Sequence, residues 1–232
     1  MNPSNGSPFN GGGFLLINKP QGPTSFDMVA KIRRKFGVKK VGHSGTLDPL
    51  AEGLLVIAVG YATRLIRYLG DDKEYLFEVT FGRLSETGDR EGKIVKECEN
   101  IPTKEDLLKA IGEFTGEISQ TPPAFSAVKI NGKRAYELAR AGKTFEIKAR
   151  KIKIYSLDLL EYNAENKTAR FNVACSSGTY VRTLAQDIAA HCGSLGFCSF
   201  IRRTAVGNFR LEDADEDNLI PVDKVLGKEV GR

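Results

Sequence analysis

The chain has 232 residues, 41% hydrophobic and 27% charged, with 34 basic against 29 acidic side chains and a net charge of +5. That suffices for one large globular domain or two small ones. No apolar run approaches the roughly 18 residues of a membrane-spanning helix, so no membrane partner is expected. A modest positive excess permits a polyanionic partner without demanding one. None of the four cysteines forms a Cys-x-x-Cys pair, so no metal site is expected, and free thiols without a signal pattern predict a cytoplasmic location.

Met1 to Gly13 is rich in Asn, Ser and Gly and reads as a disordered tail over 1–13. Phe14 to Asn18 reads as a short strand, and Lys19-Pro20-Gln21-Gly22-Pro23 as a turn cluster. Thr24 to Asp27 has the form of a capping box. Met28, Ile32 and Phe36 then recur at helical spacing, and Gly37 ends the helix. Lys31 to Lys40 carries six basic residues in ten, either a solvated face or a phosphate-facing one.

Residues 41–55 read Val-Gly-His-Ser-Gly-Thr-Leu-Asp-Pro-Leu-Ala-Glu-Gly-Leu-Leu. Pro49 fixes its own φ and pushes Asp48 out of the helical region, so Asp48 is predicted on a stiff loop before a buried strand, Leu54 to Val59. An ordinary tight turn has the same residue types. A hydrolase nucleophile elbow, Gly-x-Ser-x-Gly, fails because Thr46 stands where its last glycine belongs. A phosphate loop fails because no Gly-Lys-Ser/Thr follows.

Ala62 to Leu69 reads as a short helix. Lys73 to Gly82 alternates as a strand, with Tyr75, Phe77, Val79 and Phe81 on one face. Thr87-Gly88-Asp89 reads as a turn. Thr103 to Asp106 caps a helix carrying Leu107, Leu108 and Ile111. Ser126 to Ile130 enters a hairpin at Asn131-Gly132, and Lys133 to Ala141 turns helical. Gly142-Lys143-Thr144 lacks the earlier glycine of a phosphate loop, since position 137 is Glu137. Lys151 to Tyr162 and Thr168 to Cys175 predict an antiparallel hairpin. Thr179 is the expected N-cap of the next helix, whose core face is Val181, Leu184 and Ile188. Arg182 lies off that stripe, near a helix start where the dipole disfavours a cation, so a carboxylate partner is expected.

The stretch Gly42-His43-Ser44-Gly45-Thr46-Leu47-Asp48-Pro49-Leu50-Ala51 resembles the catalytic signature of the TruB-type tRNA pseudouridine synthases, whose usual form has Thr where Ser44 stands. Asn18-Lys19-Pro20-Gln21-Gly22-Pro23-Thr24-Ser25 is similar to that family's early motif, and Lys73-Glu74-Tyr75 to the motif whose tyrosine stacks on the target base. Gly178-Thr179-Tyr180-Val181-Arg182 resembles its second motif, and Ile201-Arg202-Arg203-Thr204 its late Leu-Arg-Arg-Thr element, with Ile for Leu.

The resemblance, from about Phe14 to Phe209, implies an α/β fold of α+β type, with a mixed, mostly antiparallel sheet flanked by helices and crossed by an active-site cleft. It implies a catalytic domain over 14–211, an RNA-gripping insertion over 121–150, and a 212–232 extension too short for a PUA domain. The implied reaction is isomerisation of uridine at tRNA position 55, without metal or cofactor, by a monomeric enzyme acting on the T-stem-loop. Asp48 would be the nucleophile, Arg182 its partner and Tyr75 the stacking ring. His43, Tyr180 and Ile201 would line the pocket, and Lys19, Asp89, Lys129 and Arg202 would contact substrate. The competing enzyme class is a serine hydrolase with Ser44 as nucleophile and His191 as base; an RNA-binding module without catalysis is the third reading.

Overall fold

The computed structural model describes residues 12–226. The chain divides into two compact units, residues 1–73 with 202–232, and residues 74–201. Each is described by itself. Most of the tail expected over 1–13 lies outside the described residues.

Unit one opens with strand β1 (Gly12–Lys19), which begins two residues earlier than the apolar run suggests. Helix α1 (Ser25–Phe36) follows, capped by Thr24 in a full capping box and closed by Gly37 at φ 64°. Then come β2 (Val41–His43) and β3 (Glu52–Gly60). β1 and β3 pair antiparallel along their whole length, and β2 pairs antiparallel with the far end of β3. Successive residues of a strand point to opposite faces. Leu15 and Ile17 therefore pack with Met28, Val29 and Ile32 of α1, while Phe14 and Leu16 pack with Val206 and Leu69. Burial on both faces explains why these strands are continuous apolar runs. The helix expected over 62–69 is instead two 3-10 turns, Tyr61–Arg64 and Ile66–Tyr68, closed by i→i+3 bonds from Leu65 N to Ala62 O and from Leu69 N to Ile66 O.

Unit two contains β4 (Lys73–Phe81), the hairpin β5 (Arg83–Ser85) and β6 (Ile94–Glu97), helix α2 (Lys104–Phe114) and β7 (Gly116–Gln120). A small hairpin, β8 (Lys129–Ile130) and β9 (Lys133–Arg134), leads into α3 (Ala135–Arg140). Its turn, Asn131 at φ 49° and Gly132 at φ 83°, has the left-handed backbone that Asn-Gly favours. The long hairpin β10 (Arg150–Asn163) and β11 (Thr168–Cys175) precedes α4 (Val181–His191) and β12 (Gly196–Val206). The strand order is β12-β4-β11-β10-β7. Phe77 of β4 stacks on Phe171 of β11 at 5.2 Å between ring centroids. α4 lies so close to the sheet that a Cβ on Gly196 would stand 2.6 Å from that of Ala189.

The last residues of β12 return to unit one and pair parallel with β3, Arg202 opposite Glu52 and Arg203 opposite Gly53. β13 (Phe209–Arg210), β14 (Asp215–Pro221) and α5 (Val222–Leu226) complete it. β14 pairs antiparallel with β1, so the second half of the acidic run, Asp215 to Asp217, lies in an edge strand. Charged side chains on an edge discourage pairing with a further chain.

Candidate active site

The loop between β2 and β3 carries Asp48, and unit one grips that loop from three directions. Before Asp48, the buried Ser25 hydroxyl donates to Leu47 O at 3.0 Å and accepts from Leu47 N at 2.8 Å. After it, Pro49 O accepts from Gly22 N at 2.8 Å and from Lys19 Nζ at 3.4 Å. Above it, Arg203 donates to Gly45 O at 3.3 Å, Thr46 O at 3.4 Å and Leu54 O at 2.7 Å. Arg203 is fully buried. Gly53 is required beside it, because any Cβ there would collide with the Arg203 backbone and its φ is 104°. A half-buried carboxylate on a loop with so many fixed carbonyls and amides has little freedom to move.

Lys19 was expected to touch substrate. Its side chain is fully buried and donates to Pro20 O at 2.8 Å and Pro23 O at 2.9 Å, besides Pro49 O. Through Pro49 O its ammonium braces the Asp48 loop. Burial pushes Lys19 down to about 8, against the pull of Asp48 and with the push of Arg203. An unfolded lysine holds its proton up to about 10.5, so between about pH 8 and 10.5 the unfolded chain binds more protons. The unfolding free energy of the wild type, relative to Lys19→Met, is therefore expected to rise with pH across that window. Urea unfolding of both proteins through the window checks this; a difference that is flat or falls would overturn it.

His43 lies at the end of β2, half-buried, and its Nδ1 accepts from Gly45 N at 3.3 Å. Burial holds its pKa below the usual 6.5, and the positive charge of Arg203 adds to that. A neutral ring accepting at Nδ1 carries its proton on Nε2. Arg202, opposite Arg203 in β12, points outward and donates from Nε to Glu52 Oε1 at 2.6 Å.

In unit two, Arg182 is buried in the first turn of α4. It donates to Thr87 O at 2.8 Å and Phe125 O at 2.9 Å, and its Nη1 lies 3.4 Å from Asp89 Oδ2. Asp89 is therefore a carboxylate that meets the expectation for Arg182, in addition to its own expected substrate role. Asp89 is buried too, and accepts from Thr87 Oγ1 at 2.5 Å and Glu91 N at 3.0 Å. Tyr180, not Thr179, is the N-cap of α4, and no side chain caps it. The reason is Gln120: its amide accepts from Tyr180 N at 2.7 Å and donates to Tyr180 O at 3.2 Å. Thr179 Oγ1 donates backward to Ser176 O at 2.9 Å. Arg150 lies 4.9 Å over the Tyr180 ring. Tyr75 is buried on the inward face of β4, Ile201 is buried in β12, and Lys129 is exposed on β8.

Sequence reasoning missed Ser25 and Gln120, and grouped Arg203 with the phosphate-facing basic residues rather than with the groups that hold the Asp48 loop. A signal for Arg203 was present: Ile201, Arg203 and Ala205 share a parity in β12, and the two apolar members turn that face inward. The serine-hydrolase reading finds no base, because the buried Ser44 hydroxyl has no hydrogen-bond partner among the described residues. His191, its supposed base, packs edge-on against Phe114 at 5.7 Å.

A family model described as "TruB family pseudouridylate synthase (N terminal domain)" matches residues 33–181. Proteins named tRNA pseudouridine synthase B from Rickettsia bellii and Borreliella burgdorferi are 47% and 46% identical to this chain over 211 and 203 residues. Those alignments cover 90% and 87% of this chain, and 70% and 72% of the relatives. A chain from a crystal structure of a Cbf5-Nop10-Gar1 complex superposes with a TM-score of 0.65 at 31% identity, over 95% of this chain and 56% of that one. The fold and these likenesses define a pseudouridylate synthase. Within that class, the chain belongs to the TruB family.

Proposed function

We propose that this chain isomerises uridine to pseudouridine at position 55 in the T-loop of tRNA, acting as a monomer in the cytoplasm. The reaction breaks the bond from N1 to C1′, turns the base over, and joins C5 to C1′; N1 gains a proton and C5 loses one. It is redox-neutral and consumes no energy source, so side chains alone can carry it. Asp48 is the nucleophile. Arg182 supplies positive charge to that carboxylate, and Asp89 orients the guanidinium. A base inside a folded RNA must first be flipped out, at a cost of a few kcal/mol. Stacking on Tyr75 returns about 1–3 kcal/mol of that. The Nε2–H of a neutral His43 is a donor for the flipped nucleotide, and Tyr180 and Ile201 close the pocket. Lys129 on the 121–150 segment meets phosphate, which gives affinity rather than base identity.

The observation that supports this reading most is the grip on the Asp48 loop by Ser25, Lys19 and Arg203. So many buried donors around one acidic residue fix an attacking group in place, at a polar cost that a mere turn would not repay. The test is direct. Unmodified tRNA is incubated with the purified protein and pseudouridine is mapped before and after. A new pseudouridine confined to position 55 is expected; none, or one confined to another site, would overturn the assignment.

A further inference from the structure

Unit one carries two sets of basic side chains in different electrostatic surroundings. Lys31 and Lys35 on α1 are paired with β14: Lys31 Nζ lies 2.6 Å from Glu216 Oε2, and Lys35 Nζ lies 2.6 Å from Asp217 Oδ1. Lys39, Lys40, Arg64 and Arg67 are exposed and make no ion pair among the described residues. These four are neighbours. Lys40 O accepts from Gly60 N at 2.8 Å, where β3 passes into the 3-10 turns. A Cβ on Gly42 would stand 3.4 Å from Ile66 and 3.8 Å from Thr63, so the turns lie against β2. β2 ends at His43, five residues before Asp48.

Two aromatic rings stand in the same segment, Tyr61 at 48% and Tyr68 at 59% exposure. The Arg67 guanidinium lies 5.7 Å from the Tyr68 ring centre, and its Nε donates to Arg64 O at 3.3 Å. Guanidinia attract phosphates, and an exposed ring beside them offers a stacking face for a base or ribose. An acidic peptide would use the cations but has no need of the rings.

We propose that Tyr61–Tyr68, with Lys39 and Lys40, is an RNA-backbone contact surface flanking the Asp48 loop, and that the outer face of α1 is not. The basic run 31–40 is thereby split: Lys31 and Lys35 are paired with the protein's own acidic strand, and its end faces RNA. This rests on the reading of the substrate as a structured RNA.

The experiment measures tRNA binding across a salt series. Arg64→Glu with Arg67→Glu is expected to weaken binding at least about tenfold, and to make the salt slope shallower by about two. Tyr68→Ala is expected to weaken binding about tenfold while leaving the salt slope intact. Lys31→Gln with Lys35→Gln is expected to bind as the wild type does. A complementary measurement needs no variant: tRNA should protect Arg64 and Arg67 of the wild type from phenylglyoxal, read by mass spectrometry. Unchanged affinity and slope in the arginine variant, or unprotected arginines in the wild-type complex, would overturn the proposal. So would an equal loss in the lysine variant. Failure of the functional reading shows separately, as tRNA that binds and gains no pseudouridine at position 55.

Discussion

Asp48→Asn is expected to reduce pseudouridine formation to background while tRNA binding and folding survive. The amide matches the carboxylate in shape, and the loop around it is held by groups the substitution does not touch. Leu47 stays on the Ser25 hydroxyl, Pro49 O on Gly22 N, and the Gly45 and Thr46 carbonyls on Arg203. What is lost is the negative charge and the attacking oxygen. A secondary effect has a definite sign. Asp48 raises the Lys19 pKa against the effect of burial, so in the variant Lys19 should fall further below about 8. Lysine side-chain NMR reads that shift in the free protein, and single-turnover assays with saturating protein read the chemistry. Wild-type turnover in Asp48→Asn would remove Asp48 from the reaction.

Arg182→Met should cost both stability and activity, and the two losses can be separated. Arg182 and Asp89 are a buried pair, so removing the cation leaves a buried carboxylate without its counter-charge, which typically costs about 3–5 kcal/mol. The bonds Asp89 keeps from Thr87 and Glu91 place the loss toward the lower end. Thr87 O and Phe125 O also lose a donor, which loosens the start of the 121–150 segment. Adding Asp89→Asn removes the stranded charge, so the double variant should recover a large part of the stability. It should recover none of the activity, because the charge facing the reaction is still absent. Denaturant unfolding and pseudouridine assays on the two single variants and the double variant complete the cycle. If the double variant regained activity along with stability, Arg182 would be a purely structural residue.

Much of this protein was legible before any coordinates. Elements with a strong period or a strong cap were placed by local physics: α1 by Thr24, Asp27 and Gly37, β4 by four alternating apolar residues, and the β8–β9 turn by Asn131-Gly132. Pro49 placed Asp48 on a non-helical loop through sterics confined to adjacent residues. Long motifs supplied the family. Where a neighbour far along the chain decides, local reading failed. Thr179 has the chemistry of an N-cap, yet Gln120, sixty residues away, takes the α4 start. Lys19 carries a charge that favours water, yet three carbonyls from turns hold it inside. Lys31 and Lys39 belong to one basic run, yet only the former meets Glu216, 185 residues on.

The sequence by itself determined which residue types stand at short, rigid spacings, because φ, ψ and capping depend on a few adjacent residues. Only the tertiary structure decided which buried charges are matched and by what, because that matching depends on atoms brought together across the chain. Arg203 is the clearest instance: its guanidinium is held by two carbonyls of the Asp48 loop and one of β3, with no carboxylate among its hydrogen-bond partners in the described residues.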